Sequence, residues 1–320
     1  MIVFVHPDAV SCVEPFAKLG YDIQVKEVPI NASEIKTDFL RKNVVTSGCC
    51  GDKEFLKLYS YTMVDYPVVV HLDLDSLILQ PLDDLYDAML DGKKEGLPVM
   101  YNKELPENVE AFFTRDYNMI NPGHKYPGVQ GGFLVIKPSM KYFEEYKKTI
   151  LEGNFQYPHG WDGKFGGYYG DLQVQGLFSY FFDGLHPGSA VELNRCNYNS
   201  MNDNPIGEIY SGKDKGSFKC HDGKEECEDC RKTDIANVKS AHFTVCQKPW
   251  ICSGGTVDER SDAGTLCRNF HKKWFSIRKH FDESREQLDP HLMENVNFYN
   301  DIFLGYCAQA GEEHYKPVVL

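Results

Sequence analysis

No apolar run in the sequence approaches the roughly 20 residues needed to cross a bilayer core, and Met1 leads into Ile2-Val3-Phe4-Val5 without a basic flank or a cleavage-site pattern. The expectation is a chain with no membrane segment of its own. Basic residues are also scarce: 34 Lys and Arg stand against 47 Asp and Glu, a formal charge of −13. Such a balance repels phosphate backbones at long range and excludes an extended nucleic-acid surface, so any phosphate-bearing ligand needs a local cation. There is no internal repeat and no low-complexity tract, which excludes solenoid and fibrous architectures. What remains is a globular composition, 42% hydrophobic and 13% aromatic over 320 residues, enough for one large core or two modest ones.

Cysteine is abundant. Of 11 in the chain, Cys220, Cys227, Cys230, Cys246, Cys252 and Cys267 crowd one loop-like stretch, which predicts disulfides and an oxidising compartment. The competing reading is a zinc site built on Cys227-x-x-Cys230 with Cys220 or His221, but no second C-x-x-C follows at zinc-ribbon spacing. Asn31-Ala32-Ser33 is a formal glycosylation sequon that agrees with a secretory lumen, most simply the Golgi, against a cytoplasmic alternative. The odd cysteine count leaves at least one thiol unpaired within the chain, and Cys12 and Cys307 are candidates for buried free thiols.

Along the chain the pattern alternates strand and helix. Ile2 to Val5 reads as a strand, Ser11 to Gly20 as a helix and Tyr21 to Val28 as a second strand. Phe55, Leu58, Tyr59 and Met63 mark one helical face, after which Tyr66-Pro67 breaks the helix and Val68 to Leu72 forms a buried strand. A short helix follows Pro81, and residues 91 to 128, rich in Pro, Gly and Asn, read as a long surface excursion. Gly131 to Ile136 is another buried strand; Pro138-Ser139 then starts a helix with Phe143, Tyr146 and Ile150 on one face. Leu177 to Phe182 is helical, and Leu266, Phe270, Trp274 and Ile277 line a carboxyl-terminal helix. This grammar predicts an α/β fold centred on a mostly parallel sheet, with a Cys-rich loop region and a helical appendage.

The buried strand ends in His71-Leu72-Asp73-Leu74-Asp75-Ser76. Ligands of open α/β sheets bind beyond the carboxyl ends of strands, and aspartates at i and i+2 suit a hard divalent cation that removes their mutual repulsion and neutralises a diphosphate leaving group. The bland alternative is that both aspartates cap the next helix. An apolar strand ending in Leu-Asp-Leu-Asp-Ser-Leu also resembles the nucleophile loop of haloacid-dehalogenase-type phosphatases. Against that, the loop follows a complete β-α-β unit, and Gly170-Asp171-Leu172-Gln173 lacks the further acidic pair.

A second motif, His242-Phe243-Thr244-Val245-Cys246-Gln247-Lys248-Pro249-Trp250, has the spacing H-F, four residues, K-P-W. Together with the carboxylate loop it resembles the glycogenin-like glycosyltransferase family 8. The resemblance spans residues 1 to 255 and implies a GT-A (Rossmann-like) nucleotide-diphospho-sugar transferase domain, with the Cys-rich loop at about 213–252 inside it and a helical extension over 256–320. It implies Mn2+, or Mg2+, held by Asp73, Asp75 and His242, and Lys248 on the diphosphate with Pro249 and Trp250 positioning it. Phe55-x-Lys57-Leu58 resembles the family's F-x-K-L segment, with Lys57 facing the nucleotide sugar. Val129-Gln130-Gly131-Gly132 resembles its N-[SA]-G strand, with Gln130 in place of asparagine. The G-D-Q-G segment aligns with residues 169–177 in two ways, giving the key position to Asp171 or to Gln175, with Asp171 preferred and Val174 replacing the aspartate in the other case.

The implied activity is transfer of a hexosyl group, with retention, from a UDP-sugar donor to a glycan or glycoprotein acceptor. A catalytically silent sugar-nucleotide or glycan-binding protein is the alternative. In the family a strand ahead of the β-α-β unit contacts the uridine base, which predicts an upstream stretch able to supply that strand and a membrane anchor. Pairing of Cys246 with Cys252 would brace the loop that carries His242 and Lys248.

Overall fold

The computed structural model describes residues 1–100, 105–210, 213–249, 262–288, 305–307 and 315–317. The chain divides into two compact units. The first comprises Met1–Asp73, Leu82–Asn194 and Pro205–Cys227; the second comprises Leu74–Pro81, Arg195–Asn204 and Glu228–Leu320. The strands that matter for the site are β1 (Ile2–Val5), β2 (Asp22–Val25), β3 (Val69–Leu72), β4 (Ser76–Ile78), β5 (Ala111–Arg115) and β6 (Val129–Ile136).

In the first unit, β3, β6, β5 and the strand Ala190–Glu192 form a four-stranded sheet in that order. Every residue of β6 is buried, as an apolar run covered on both faces requires. β3 and β5 both run antiparallel to β6, and only Ala190–Glu192 joins in parallel, against β5. The expected mostly parallel sheet is therefore corrected to a small mixed one. The cause is the link from β5 to β6, which holds only the single turn Tyr117–Met119 and no crossover helix, so the chain returns antiparallel. The parallel pair β1–β2 forms a separate ladder. Residues 91–128 are likewise more than a surface excursion: they contain β5, buried along its whole length.

One helix packs on the expected face and two depart from it. Met140–Glu152 is capped by Ser139, whose Oγ accepts from Tyr142 N–H at 3.3 Å, and it buries Phe143, Tyr146 and Ile150. Gly51–Thr62 is a 3-10 helix burying Phe55, Leu58 and Tyr61, the three-residue period of that helix, so Tyr59 and Met63 fall off the buried face.

The second unit has a smaller core. Here β4 pairs antiparallel with Ser240–His242, and Leu77, Val238, Ala241 and Phe243 pack with Leu266 and Phe270 of the helix Asp262–Leu288. That helix turns its apolar face at Phe275, which is buried, whereas Ile277 is 44% exposed, contrary to the expected register.

Among the described residues three disulfides are formed: Cys196–Cys230 and Cys246–Cys267 in the second unit and Cys220–Cys227 in the first. They consume the thiols of the zinc alternative and are consistent with a secretory lumen. Cys246 is bridged to Cys267, which corrects the pairing with Cys252; Cys252 itself, Trp250 and the burial of Cys307 lie outside the described residues. Cys12 is a free thiol but an exposed one. Among the described residues no helix is long and apolar enough to cross a membrane.

Candidate active site

The aspartates of the carboxylate loop sit in different units and have different partners. In the first unit, β3 delivers His71 and Asp73 on one face of the strand, two residues apart. Asp73 N–H donates to Gly132 O at 3.0 Å, which ties the strand end to β6. The Asp73 carboxylate is bridged by Lys57 Nζ, 2.8 Å from Oδ1 and 3.0 Å from Oδ2. Lys57 also meets Glu54 Oε2 at 3.0 Å. Burial works against the ammonium, but the charges of Asp73 and Glu54 outweigh it and hold the Lys57 pKa above its ordinary range. His71 Nε2 lies 4.0 Å from Asp73 Oδ1, and burial, opposed by Asp73 and assisted by Lys57, pushes its pKa down to about 4. The imidazole is therefore neutral at physiological pH.

Gly131 is what lets these groups approach. A Cβ there would lie 2.7 Å from Val174 Cγ2, a clash, and 3.7 Å from Lys57 Nζ, an ordinary contact, so a side chain would displace Val174. Gln130 is buried, and its Oε1 accepts from Gly132 N–H at 2.6 Å. Asp171 turns its carboxylate into its own loop, accepting from Gly167 N–H at 2.7 Å, while its carbonyl takes the Trp161 indole N–H at 2.8 Å. Burial raises the Asp171 pKa against the pull of those backbone donors. Gln175, on the helix Val174–Ser179, keeps Oε1 buried with no hydrogen-bond partner among the described residues. The residue standing against Gly131 beside Lys57 is thus Val174, and Asp171 is engaged elsewhere.

In the second unit, residues far apart in sequence meet. The ladder pairs His242 with Ser76, and Phe243 N–H donates to Asp75 O at 2.9 Å. His242 Nε2 then lies 3.1 Å from Asp75 Oδ1 across a sequence separation of 167. Lys248 Nζ forms an ion pair with Asp75 Oδ2 and donates to Phe243 O at 3.0 Å. Burial disfavours the Asp75 carboxylate, but hydrogen bonds and charge from His242 and Lys248 outweigh it and keep its pKa well below the usual carboxylate range. The carboxylate is ionised at any working pH. Cys246–Cys267 braces the segment between His242 and Lys248, and His271 Nε2 donates to Gln247 O at 2.5 Å.

Glu54, His71 and His271 were not candidates from the motifs. Glu54 was findable one helical turn before Lys57, and His71 from strand alternation before Asp73. His271 had no local signal. Chemically, each aspartate is an oxygen donor paired with its own lysine, and Asp75 also meets an imidazole nitrogen. An oxygen-and-imidazole set of this kind suits Mn2+ and tolerates Mg2+.

No protein-family model matches the chain, and no curated protein matches it in sequence. Among solved structures, mouse xyloside xylosyltransferase 1 in its apo form matches at 14% identity and a TM-score of 0.39, covering 78% of this chain and 86% of that one. The WbbM bifunctional glycosyltransferase in its apo form matches at 14% identity and a TM-score of 0.34, covering 84% of this chain and 49% of that one. At these TM-scores the likeness establishes neither a shared activity nor a shared substrate.

Proposed function

We propose that the chain is a divalent-cation-dependent, retaining glycosyltransferase with a GT-A-type fold, acting on a UDP-sugar donor and a glycan or glycoprotein acceptor in the secretory pathway, most simply the Golgi. The observation that carries this reading is the grip on Asp75. The two segments whose combination resembles glycosyltransferase family 8, the D-x-D loop and H-F-x4-K-P-W, meet through His242, Asp75 and Lys248.

On this reading Asp75 and His242 hold Mn2+, with Asp73, two residues upstream, as a further oxygen ligand. The cation would neutralise the diphosphate and so lower the barrier to its departure. Lys248, released from Asp75, takes up negative charge developing on the leaving diphosphate, and Lys57 does the same from the Asp73 side. Gln130 and Gln175 are the amides offered to sugar hydroxyls; Gln175 is the better placed because its Oε1 is already without a partner among the described residues. Asp171 serves the acceptor only if its loop opens, since its carboxylate is bonded to Gly167 N–H.

The test is release of UDP from a panel of UDP-sugars, with Mn2+ or with chelator, for the native chain and Asp75→Ala. Mn2+-dependent release from one donor, reduced on the order of a thousandfold in the variant (about 4 kcal/mol), is the expected result. Mn2+-dependent UDP binding without turnover would instead identify a silent sugar-nucleotide-binding protein. Folded protein that neither binds nor turns over would overturn both.

A further inference from the structure

The first unit carries a feature the transferase reading does not use. In Ser47-Gly48-Cys49-Cys50-Gly51, the two adjacent cysteines are free and exposed, and their Sγ atoms lie 3.0 Å apart. The loop that presents them is held from both sides. Gln173, itself buried, donates from Nε2 to Ser47 O at 2.9 Å and to Gly51 O at 2.6 Å, one anchor on each side of the pair. The flanking glycines adopt φ of +58° at Gly48 and +62° at Gly51, the left-handed region. A Cβ at Gly48 would lie 2.1 Å from Gln173 Oε1, and one at Gly51 would lie 2.1 Å from Val45 O. Neither position accepts a side chain, so the loop demands glycine on both sides of the cysteine pair. Behind it, Cys49 Sγ donates to Glu54 Oε1 at 3.6 Å.

We propose that Cys49 and Cys50 form a reversible dithiol–disulfide site, closed by exchange with a small-molecule disulfide such as oxidised glutathione and reopened by thiols. The proposal is independent of the transferase reading. The thiolate of Cys50 attacks one sulfur of the small disulfide, forming a mixed disulfide and expelling one thiolate. Cys49 Sγ then attacks Cys50 Sγ and expels the second thiolate, which takes up the proton that Cys49 releases. Two thiols are oxidised and one disulfide is reduced to two thiols, so two electrons and two protons move and no other oxidant is needed.

Two further observations favour this order and outcome. Burial, the Cys50 contact and the Glu54 charge push the Cys49 thiol up to about 12, which leaves Cys50 as the first nucleophile. The three bridges already formed show that the chain folds where small disulfides are present. The new bridge differs from those three because consecutive Cα atoms stand about 3.8 Å apart, below the roughly 4.4–6.8 Å span of ordinary disulfides. Such a bridge is strained and opens at a less reducing poise.

The test uses the full chain equilibrated in graded mixtures of reduced and oxidised glutathione, then acid-quenched, alkylated and digested with trypsin. Cleavage after Lys42 and Lys53 gives a peptide, Asn43–Lys53, that contains Cys49 and Cys50 and no other cysteine. The expected result is conversion of this peptide from doubly alkylated to an unalkylated form lighter by two hydrogens, at a poise where the three structural bridges stay closed. Double alkylation at every poise, stable glutathione adducts on both residues, or a crosslink to Cys12 would overturn the proposal. In parallel, the reduced native chain is expected to retain phenylarsine oxide, a reagent for paired thiols, and Cys49→Ser or Cys50→Ser to lose at least tenfold of that retention. Undiminished capture by either single variant would count against pairing.

Discussion

The first unit is organised around β6, an eight-residue strand buried throughout, with Phe55, Tyr146, Trp161 and Phe178 in the same apolar cluster. The second unit has three-residue strands and a small apolar cluster, and two of its loops are fixed by Cys196–Cys230 and Cys246–Cys267. Apolar burial fixes the position of Asp73, whereas covalent bonds fix the segment that brings His242 and Lys248 to Asp75. Two carboxylates separated by one residue are thus held by interactions with different chemistry, and each should fail under a different perturbation.

The largest effect is expected from the first unit. Phe133 is fully buried on β6, and Phe133→Ala should cost about 3–5 kcal/mol, read as a shift in the urea midpoint at unchanged slope. If the variant costs less than opening Cys246–Cys267, the contrast between the units is wrong. Next comes reduction. Each bridge is worth about 2–4 kcal/mol, and graded dithiothreitol should abolish Mn2+ and UDP binding before circular dichroism reports loss of the sheet. Coincident loss of binding and sheet on one curve would remove the distinction.

The smallest effect is the share of the pH dependence that His271 contributes in the second unit, beside that of buried His71 in the first. Burial, opposed by the Gln247 carbonyl, lowers the His271 pKa, so the unfolded chain takes up a proton below about pH 6.5 while the folded one does not. Stability is therefore lost as the pH falls below that value. Replacing His271 with Gln, which can still donate to the Gln247 carbonyl, should flatten the slope at a cost of about 1 kcal/mol, measured as the difference in melting temperature between about pH 7.5 and pH 5.5. An unchanged slope would show that His271 is not the titrating group.

The sequence made some of this legible and hid the rest for identifiable reasons. The Ser139 cap and the Phe143, Tyr146, Ile150 stripe are local signals, and the helix Met140–Glu152 follows them. β5 was hidden because its run Ala111-Phe112-Phe113-Thr114-Arg115 is short, sits among turn residues and ends in an arginine. That arginine is buried because Asp183 meets it at 2.8 Å and Glu192 at 3.0 Å, partners no local window contains. The sheet direction was misjudged for a similar reason, since strand-and-helix alternation says nothing about which strands become neighbours. At the candidate site, the family resemblance pointed to Asp75, His242 and Lys248, but not to the link of Cys246 to Cys267, because cysteine counting leaves connectivity open. The inward turn of Asp171 depends on Gly167 N–H, a backbone donor without a sequence signature.

Lys57 on Asp73 and Lys248 on Asp75 act as resident counter-ions. If the site binds as proposed, a divalent cation arriving alone would have to displace an ammonium from its carboxylate, and a nucleotide arriving alone would meet lysines already engaged. On the proposed reading, Asp73 and Asp75 would release Lys57 and Lys248 to the phosphates when cation and sugar nucleotide bind together. Cation and donor binding would then be linked, each raising the affinity for the other by the same factor. Such coupling would keep the site from accumulating metal when no sugar nucleotide is present.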